Sequence, residues 1–228
     1  MITISPAKTH EVVEIQAVLN HHTIIGYLGG FTIATQISQK IVPKKPSFFT
    51  AKDGTDIVGV VEIASRTQAH LIKYGMVGVI PEYRRQRIAS SMYAAITFQG
   101  ILEGRRLFED SIVGDNPIQF TLLPTLGMRL AGELKHKTAS AKSICLFQFD
   151  LLESSSWTAM WSRISPDISI QLTNSSYQTE LYEKNKEILE KHKPEFVPTL
   201  DSYIQHIKST CQIKEEKTIC RDSKHQLL

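Results

Sequence analysis

The chain has little of several features that mark particular classes of protein. Only three of its 228 residues are cysteine, and they form neither a CxxC pair nor a cysteine–histidine group at metal-ligand spacing. We therefore expect no disulfide framework and no metal site. The net charge is only +3, and the sequence contains no long block of like charges. Nucleic acid is not indicated by such a charge distribution.

Long apolar runs are also missing. No run reaches the ~20 apolar residues that a helix needs to cross a bilayer. The first residues lack the basic segment and apolar core of a signal peptide. These absences predict a cytoplasmic protein without a membrane partner. What the sequence does have is 42% hydrophobic residues, which is enough to build a core.

The most informative stretch is residues 79–90, which read VIPEYRRQRIAS. An apolar strand ends at Pro81, and a short turn then leads into a predicted helix. Apolar residues recur along that helix at helical spacing: Ile88, Met92, Ala95, Ile96 and Leu102. The pattern is therefore strand, turn and helix in immediate succession.

Three arginines, Arg84, Arg85 and Arg87, crowd the start of this helix. The free backbone N–H groups at a helix N-terminus already act as about half a positive charge, so cations are unfavourable there. A bound anion would offset the repulsion, and phosphate is the anion that such termini commonly bind. The alternative is that the guanidinium groups simply extend into water.

A second segment has its own pattern. Asn116-Pro117 is followed by Leu122 and then by Gly127-Met128. Together the two segments resemble the hallmarks of the GNAT acyltransferase superfamily, V-x-P-x-[YW]-[RQ]-x-x-G-x-[GA] and N-x-x-A-x-x-L-Y-x-x-x-G-F. The second matches without a gap, with methionine in the place of the final aromatic residue.

The resemblance implies an α/β (α+β) GNAT fold with a mixed central sheet of about seven strands flanked by helices. It covers residues 1–151, where the sequence DGTD at 53–56 also predicts a hairpin turn. In such a domain, residues 21–39 would line the acceptor groove. Residues 152–228 would be a mainly helical C-terminal extension with a flexible tail from about 212. Residues 167–173 could add a strand, and an apolar stripe would dock the extension on the domain: Trp157, Met160, Trp161 and Ile164.

Acetyl-CoA is the co-substrate that the resemblance implies, with no metal. Its pyrophosphate would bind to the turn, and its pantetheine arm would bind to the preceding strand and to the second motif. The expected binding residues are Val77, Gly78, Val79, Arg84, Arg85, Gln86, Arg87, Ile88, Ala89, Ser90 and Asn116.

The sequence departs from the family pattern at two positions. Arg87 replaces a glycine; a right-handed helical conformation is sterically open to arginine, so its side chain would point aside or bind a phosphate oxygen itself. Leu123 replaces the tyrosine that many members use as a general acid, and it cannot donate a proton. In addition, Gly78 lies inside a predicted strand and is expected to mark a bulge.

No obvious general base stands at the family position in the fourth strand. The expected catalytic residues are Glu109, Ser111 and Tyr74, with Glu62 and Asp110 as further carboxylates of neighbouring strands. Strand alternation places Glu109 and Ser111 on one face and Asp110 on the other.

The resemblance favours an acetyl-CoA-dependent N-acyltransferase that moves an acetyl group to a primary amine by direct attack in a ternary complex. The acceptor would be a small molecule or a peptide. One alternative is a catalytically degenerate acyl-CoA-binding module that mediates interactions. Another is a GNAT-type modifier of a protein or nucleic acid. The extension also offers a surface on which a homodimer could form.

Overall fold

The structure is a computed structural model that describes residues 1–21, 24, 34–41, 46–65, 70–113, 116–135 and 142–216. Residues 22–23 and 25–33, part of the segment expected to line the acceptor groove, lie outside the described residues.

The strands of the described part are β1 Ile2–Pro6, β2 Phe48–Asp53, β3 Asp56–Ser65, β4 Leu71–Val79, β5 Leu107–Val113, β6 Arg129–Leu134, β7 Ile144–Asp150, β8 Ile168–Ser175 and β9 Gln212–Glu216. The helices are α1 Val12–Leu19, α2 Ala34–Lys40, α3 Ile88–Leu102, α4 Pro117–Thr125, α5 Ser154–Ser162, α6 Ser176–His192 and α7 Val197–Thr210.

The strands form one mixed sheet in the order β6-β7-β5-β4-β3-β2-β1-β8-β9. Strands β1 to β4 are antiparallel neighbours, and the β4–β5, β1–β8 and β8–β9 pairs are parallel. The predicted α/β fold with a mixed sheet is confirmed. The described part has two strands more than the seven expected, because the C-terminal extension contributes β8 and β9.

The extension is mainly helical and also contributes two strands. Strand β8 is the one expected near residues 167–173. Strand β9 begins where a flexible tail was predicted, and it pairs with β8 from Gln171↔Gln212 onward. Backbone pairing thus orders the chain to residue 216. Residues 217–228 lie outside the described part.

Helices cover both faces of the sheet. On one face, α1 and α2 pack in a cluster with Phe48 and Val60. On the other face lies α3, which is buried along nearly its whole length. Its inner side contacts the strands, and its outer side contacts α5, α6 and α7 of the extension. The extension thus completes the burial of the helix that follows the arginine turn.

Aromatic and polar contacts join the extension to α3. The rings of Trp157 and Trp161 lie 5.6 and 5.0 Å from that of Phe98, and Met160 is fully buried. Gln99 Nε2 donates to the carbonyl oxygen of Thr173 at 3.0 Å, and its Oε1 accepts from the Thr173 N–H at 3.1 Å. The predicted stripe therefore packs on the domain and shares its core.

A bulge interrupts the pairing of β3 with β4. Val61 pairs with Val77, but Ile63 pairs with Tyr74, so two β4 residues, Gly75 and Met76, lie opposite Glu62. An extra residue reverses which side chains face which side of a sheet. Tyr74 accordingly packs in the α3-side cluster, whereas Met76 packs in the α1–α2 cluster.

The bulge is not at Gly78, where the sequence analysis expected one. Gly78 pairs regularly with Val60. A Cβ at Gly78 would lie 3.0 Å from Ile24 Cδ1, so the missing side chain gives room to a neighbour on the α1–α2 face.

Strands β4 and β5 pair over only three residues. The last pair is Lys73↔Glu109, just before the bulge, and the rest of β4 runs on to Val79 without a β5 partner. The two strands therefore diverge and leave a wedge between them.

Replacement of Gly75 by alanine tests the tight packing at the bulge. The new Cβ would lie 2.6 Å from Glu62 Oε2. Overpacking of this kind predicts a loss of about 1–3 kcal/mol in the free energy of unfolding. Gly132→Ala is the matched control, because nothing lies within 4 Å of a Cβ there. Urea unfolding of both variants measures the difference, and equal stabilities would contradict the analysis.

Candidate functional site

The turn between β4 and α3 is fixed at both ends. Ile80 N donates to the Val58 carbonyl at 3.0 Å, and a short 3-10 turn, Pro81–Tyr83, follows. Tyr83 Oη donates to Asp53 Oδ2 at 3.0 Å. The Arg84 guanidinium folds back, and its Nε donates to the Val79 carbonyl at 3.0 Å. The backbone is thus held in place before the helix begins.

Two arginines of the turn adopt left-handed backbone conformations. Arg85 has φ +62°, and Arg87, the N-cap of α3, has φ +61°. The sequence analysis considered a right-handed helical conformation for Arg87, and the structure corrects this. The family pattern has glycine here, and glycine adopts positive φ without the steric cost that a Cβ brings. Arg87 therefore takes a glycine-like conformation at some cost in stability.

A cavity of about 590 Å³ opens between this turn, the end of β4 and α4. Its wall includes every residue expected to bind acetyl-CoA except Gln86, which is exposed. Sequence analysis missed the other described residues of the wall: Ile24, Tyr83, Ile118, Gln119, Thr121, Leu122, Thr125 and Arg163.

The cavity is built to attract anions. Its described lining includes the three arginines of the turn and Arg163, but no aspartate or glutamate. The N-terminus of α3 reaches the wall at Ile88, Ala89 and Ser90, where the first N–H groups have no partner within the helix. The positive end of the helix dipole and four guanidinium groups thus all contribute positive potential to the same cavity.

Arg163 comes from the end of α5, in the extension. No signal in the sequence could have placed it here, because the family motifs end before this segment. The contact between the two parts is direct, since the Ser165 N–H donates to Ser91 Oγ at 3.4 Å.

A chain of hydrogen bonds leads from the cavity wall into the core. Asn116 caps α4: its Oδ1 accepts from Gln119 N at 3.2 Å, and its Nδ2 donates to Gln119 Oε1 at 2.7 Å. Gln119 Nε2 donates to Tyr93 Oη at 3.4 Å, and Tyr93 Oη donates to Asp110 Oδ2 at 2.5 Å. Burial raises the pKa of Asp110 to about 6. These hydrogen bonds fix the orientation of the side-chain amides of Asn116 and Gln119.

The expected catalytic residues do not line this cavity. Tyr74 is buried under α3 with its Oη 2.5 Å from Thr97 Oγ1, and burial raises its pKa. It precedes the bulge and so faces α3. Glu109 binds Lys73 at 2.8 Å and Gln148 at 3.1 Å.

The remaining positions of interest have different environments. Ser111 is exposed on β5. Leu123, at the position of the family tyrosine, is fully buried in the core. Within the described residues, no group of three or more histidine, cysteine, aspartate or glutamate side chains could hold a metal ion. No helix of the described residues is long and apolar enough to span a membrane.

Comparison with known proteins finds one family model and several solved structures that resemble this chain. Residues 26–106 match the model of the acetyltransferase (GNAT) family. Ard1 from Thermoplasma volcanium is similar in structure at 13% identity, with a TM-score of 0.59 over 67% of this chain and 99% of that one. The ribosomal-protein-S18-alanine N-acetyltransferase from Escherichia coli is similar at 12% identity, with a TM-score of 0.55 over 65% and 92%.

A third similar structure is yncA, a putative acetyltransferase from Salmonella typhimurium solved with its cofactor acetyl-CoA. It is 13% identical, with a TM-score of 0.59 over 67% of this chain and 95% of that one. At such identities the likeness shows the fold. No protein of curated function matches the chain. The resemblance found in the sequence is confirmed over residues 26–106, where the family model matches.

The left-handed conformation of Arg87 gives a direct test. Arg87→Gly removes the steric cost and is expected to raise the free energy of unfolding by about 1 kcal/mol. Arg87→Ala is the matched control, because alanine also lacks the guanidinium but keeps the cost. The difference between the two variants in chemical denaturation isolates the backbone effect. If alanine stabilises the protein as much as glycine does, the backbone is not strained at this position.

Proposed function

We propose that this chain, which contains a domain of the acetyltransferase (GNAT) family, transfers an acetyl group from acetyl-CoA to a primary amine. One observation carries the proposal: a single cavity runs from the end of β4, which has no β5 partner, to the arginine-rich N-terminus of α3. The cationic end of the cavity suits the pyrophosphate of acetyl-CoA, and the end beside β4 suits its extended pantetheine arm.

The phosphate end depends on the backbone as much as on side chains. The first N–H groups of α3 and the positive end of its dipole favour an anion. Arg85, Arg87 and Arg163 add charges that are exposed and therefore free to reorient around a ligand. Arg84 is bonded to the Val79 carbonyl, so it also holds the turn in shape.

The wedge suits the pantetheine arm. Beyond Lys73 the β4 backbone has no β5 partner, and Val77, Gly78 and Val79 line the cavity. An extended ligand could pair with this open strand edge through its amide groups. On the opposite wall, Asn116 and Gln119 present amide groups whose orientation is fixed by Tyr93 and Asp110.

Acetyl-CoA would supply an activated thioester, and the chain would hold it beside the acceptor. Orienting two reactants in this way can account for much of an acyl transfer rate. Leu123 offers no proton, so the leaving thiolate would take one from water.

A second candidate is an acyl-CoA-binding module without catalysis. It is favoured by the burial of Leu123 and by the positions of Glu109, Ser111 and Tyr74 away from the cavity. A thiol-release assay with acetyl-CoA separates the two functions. Its panel should include small amines and a peptide with a free N-terminus, because one similar structure acts on the alanine of a ribosomal protein. CoA binding without thiol release from any amine would support the module.

A charge placed at the helix N-terminus should abolish CoA binding. Ala89 lies in the cavity wall, and Ala89→Glu would bring a carboxylate close to the pyrophosphate. Juxtaposed like charges cost several kcal/mol, so the dissociation constant measured by calorimetry should rise about a hundredfold or more. Ala131→Glu makes the same change on the exposed strand β6 and should bind as the parent does. Unchanged affinity in Ala89→Glu would remove this turn from the CoA site.

The extension should also contribute to affinity. Arg163→Ala removes an exposed cation from the cavity and should weaken CoA binding by about fivefold, with a smaller effect at high salt. Arg129→Ala is the control, since Arg129 is an exposed arginine outside the cavity. Equal affinities of these two variants across a salt series would show that Arg163 does not act on the ligand.

A further inference from the structure

Glu62 is a buried carboxylate in the middle of β3. Its side chain is only 4% exposed. It lies across from Phe48 and two residues from Val60, both of which pack on the α1–α2 face of the sheet. Burial of a charge is costly unless it is paired, so each of its oxygens needs a partner.

One oxygen is held by the bulge of β4. Met76 N donates to Glu62 Oε2 at 3.3 Å. The carboxylate fits there because Gly75 has no side chain, and a Cβ would lie 2.6 Å from the same oxygen. The backbone thus fixes the position of the carboxylate.

The other oxygen is held by a lysine that reaches in from the surface. Lys40 Nζ forms an ion pair with Glu62 Oε1. Lys40 is the last residue of α2, and its side chain is 48% exposed. Another cation could take the place of this exposed lysine, whereas the buried carboxylate is held by the backbone of β4.

The pair lies close to the wedge. Met76, the donor to Glu62, directly precedes Val77 and Gly78 in the cavity wall. Ile24, also in the wall, lies where a Cβ on Gly78 would point, and it packs in the cluster that contains Val60 on the face of Glu62. A ligand that passes through the wedge would therefore emerge on the face that carries Glu62.

We propose that Glu62 binds the ammonium group of the acceptor and that Lys40 occupies this place in the free protein. An acceptor must then displace Lys40 before it can bind, which selects cationic primary amines over neutral nucleophiles. The inference rests on the proposed function and names the substrate class of the same site. A purely structural ion pair that fastens α2 to the sheet is the competing explanation.

The chain contains a matched control for that explanation. Glu11 is also buried, its Oε2 accepts from a backbone N–H, that of Lys8, at 2.9 Å, and its Oε1 pairs with a lysine, Lys52. This pair lies elsewhere, at the start of α1 and on β2, whereas Glu62 is bonded to Met76 beside the end of β4 that lines the cavity. If the Glu62–Lys40 pair is purely structural, substitutions in the two pairs should change amine binding by the same amount.

The experiment measures amine binding in Lys40→Met, Glu62→Gln, Lys52→Met and Glu11→Gln. Each protein is saturated with CoA and titrated with n-butylamine in a calorimeter, with n-butanol as the neutral probe. Lys40→Met should bind the amine about tenfold more tightly than the parent, and Glu62→Gln about tenfold more weakly than Lys40→Met, since a hydrogen bond to a charged group is stronger than one to a neutral group. The control variants should bind as the parent does, and butanol should bind to none.

Equal amine affinity in Lys40→Met and the parent would overturn the proposal. So would amine binding in Glu62→Gln equal to that in Lys40→Met, or changes of the same size in the Glu11 and Lys52 variants. Failure of the parent to bind CoA would count against the proposed function instead. In that case the same titrations on the CoA-free proteins still decide whether Glu62 and Lys40 form an ammonium site.

Discussion

The contact between Glu62 and the β4 bulge is the constraint on which the site depends. One extra residue in β4 turns the later part of the strand over, so that Met76 and Gly78 face α1 and α2 while Val77 and Val79 face α3. Pairing with β5 stops at Lys73, just before the bulge, and a wedge opens. The bulge and the wedge therefore begin at the same point of β4.

The site concentrates features that are unfavourable in isolation. A buried carboxylate, two arginines with positive φ and guanidinium groups at a helix N-terminus each cost stability. They persist because the neighbouring structure leaves little freedom: α3 is enclosed by the sheet on one side and by α5, α6 and α7 on the other. Strain of this kind is expected where a ligand offsets part of it, and an anion at the turn would do so.

The sequence predicted the parts of the fold that depend on local pattern. The hairpin at Gly54 and the strand–turn–helix at Pro81 form as expected, because each depends on a few adjacent residues. The side of the sheet that Tyr74 faces could not be predicted. Strand alternation fails at a bulge, and this bulge forms opposite Glu62, which belongs to another strand. Lys40 and Arg163 were missed for a similar reason: the residues that lie near them in the fold are far away in sequence.

The role of the extension follows from its packing. Met160 lies beneath Thr97 of α3, with Sδ 3.8 Å from Thr97 Oγ1, and the same helix, α5, ends at Arg163 in the cavity wall. Thr97 in turn contacts Tyr74, which directly precedes the bulge. A continuous series of packed side chains therefore runs from the extension through α3 to the strand that opens the wedge. Both the cationic end and the wedge depend on this packing, so the extension is part of the structure of the site. A minimal domain without the extension would have to form α3 with its outer side exposed.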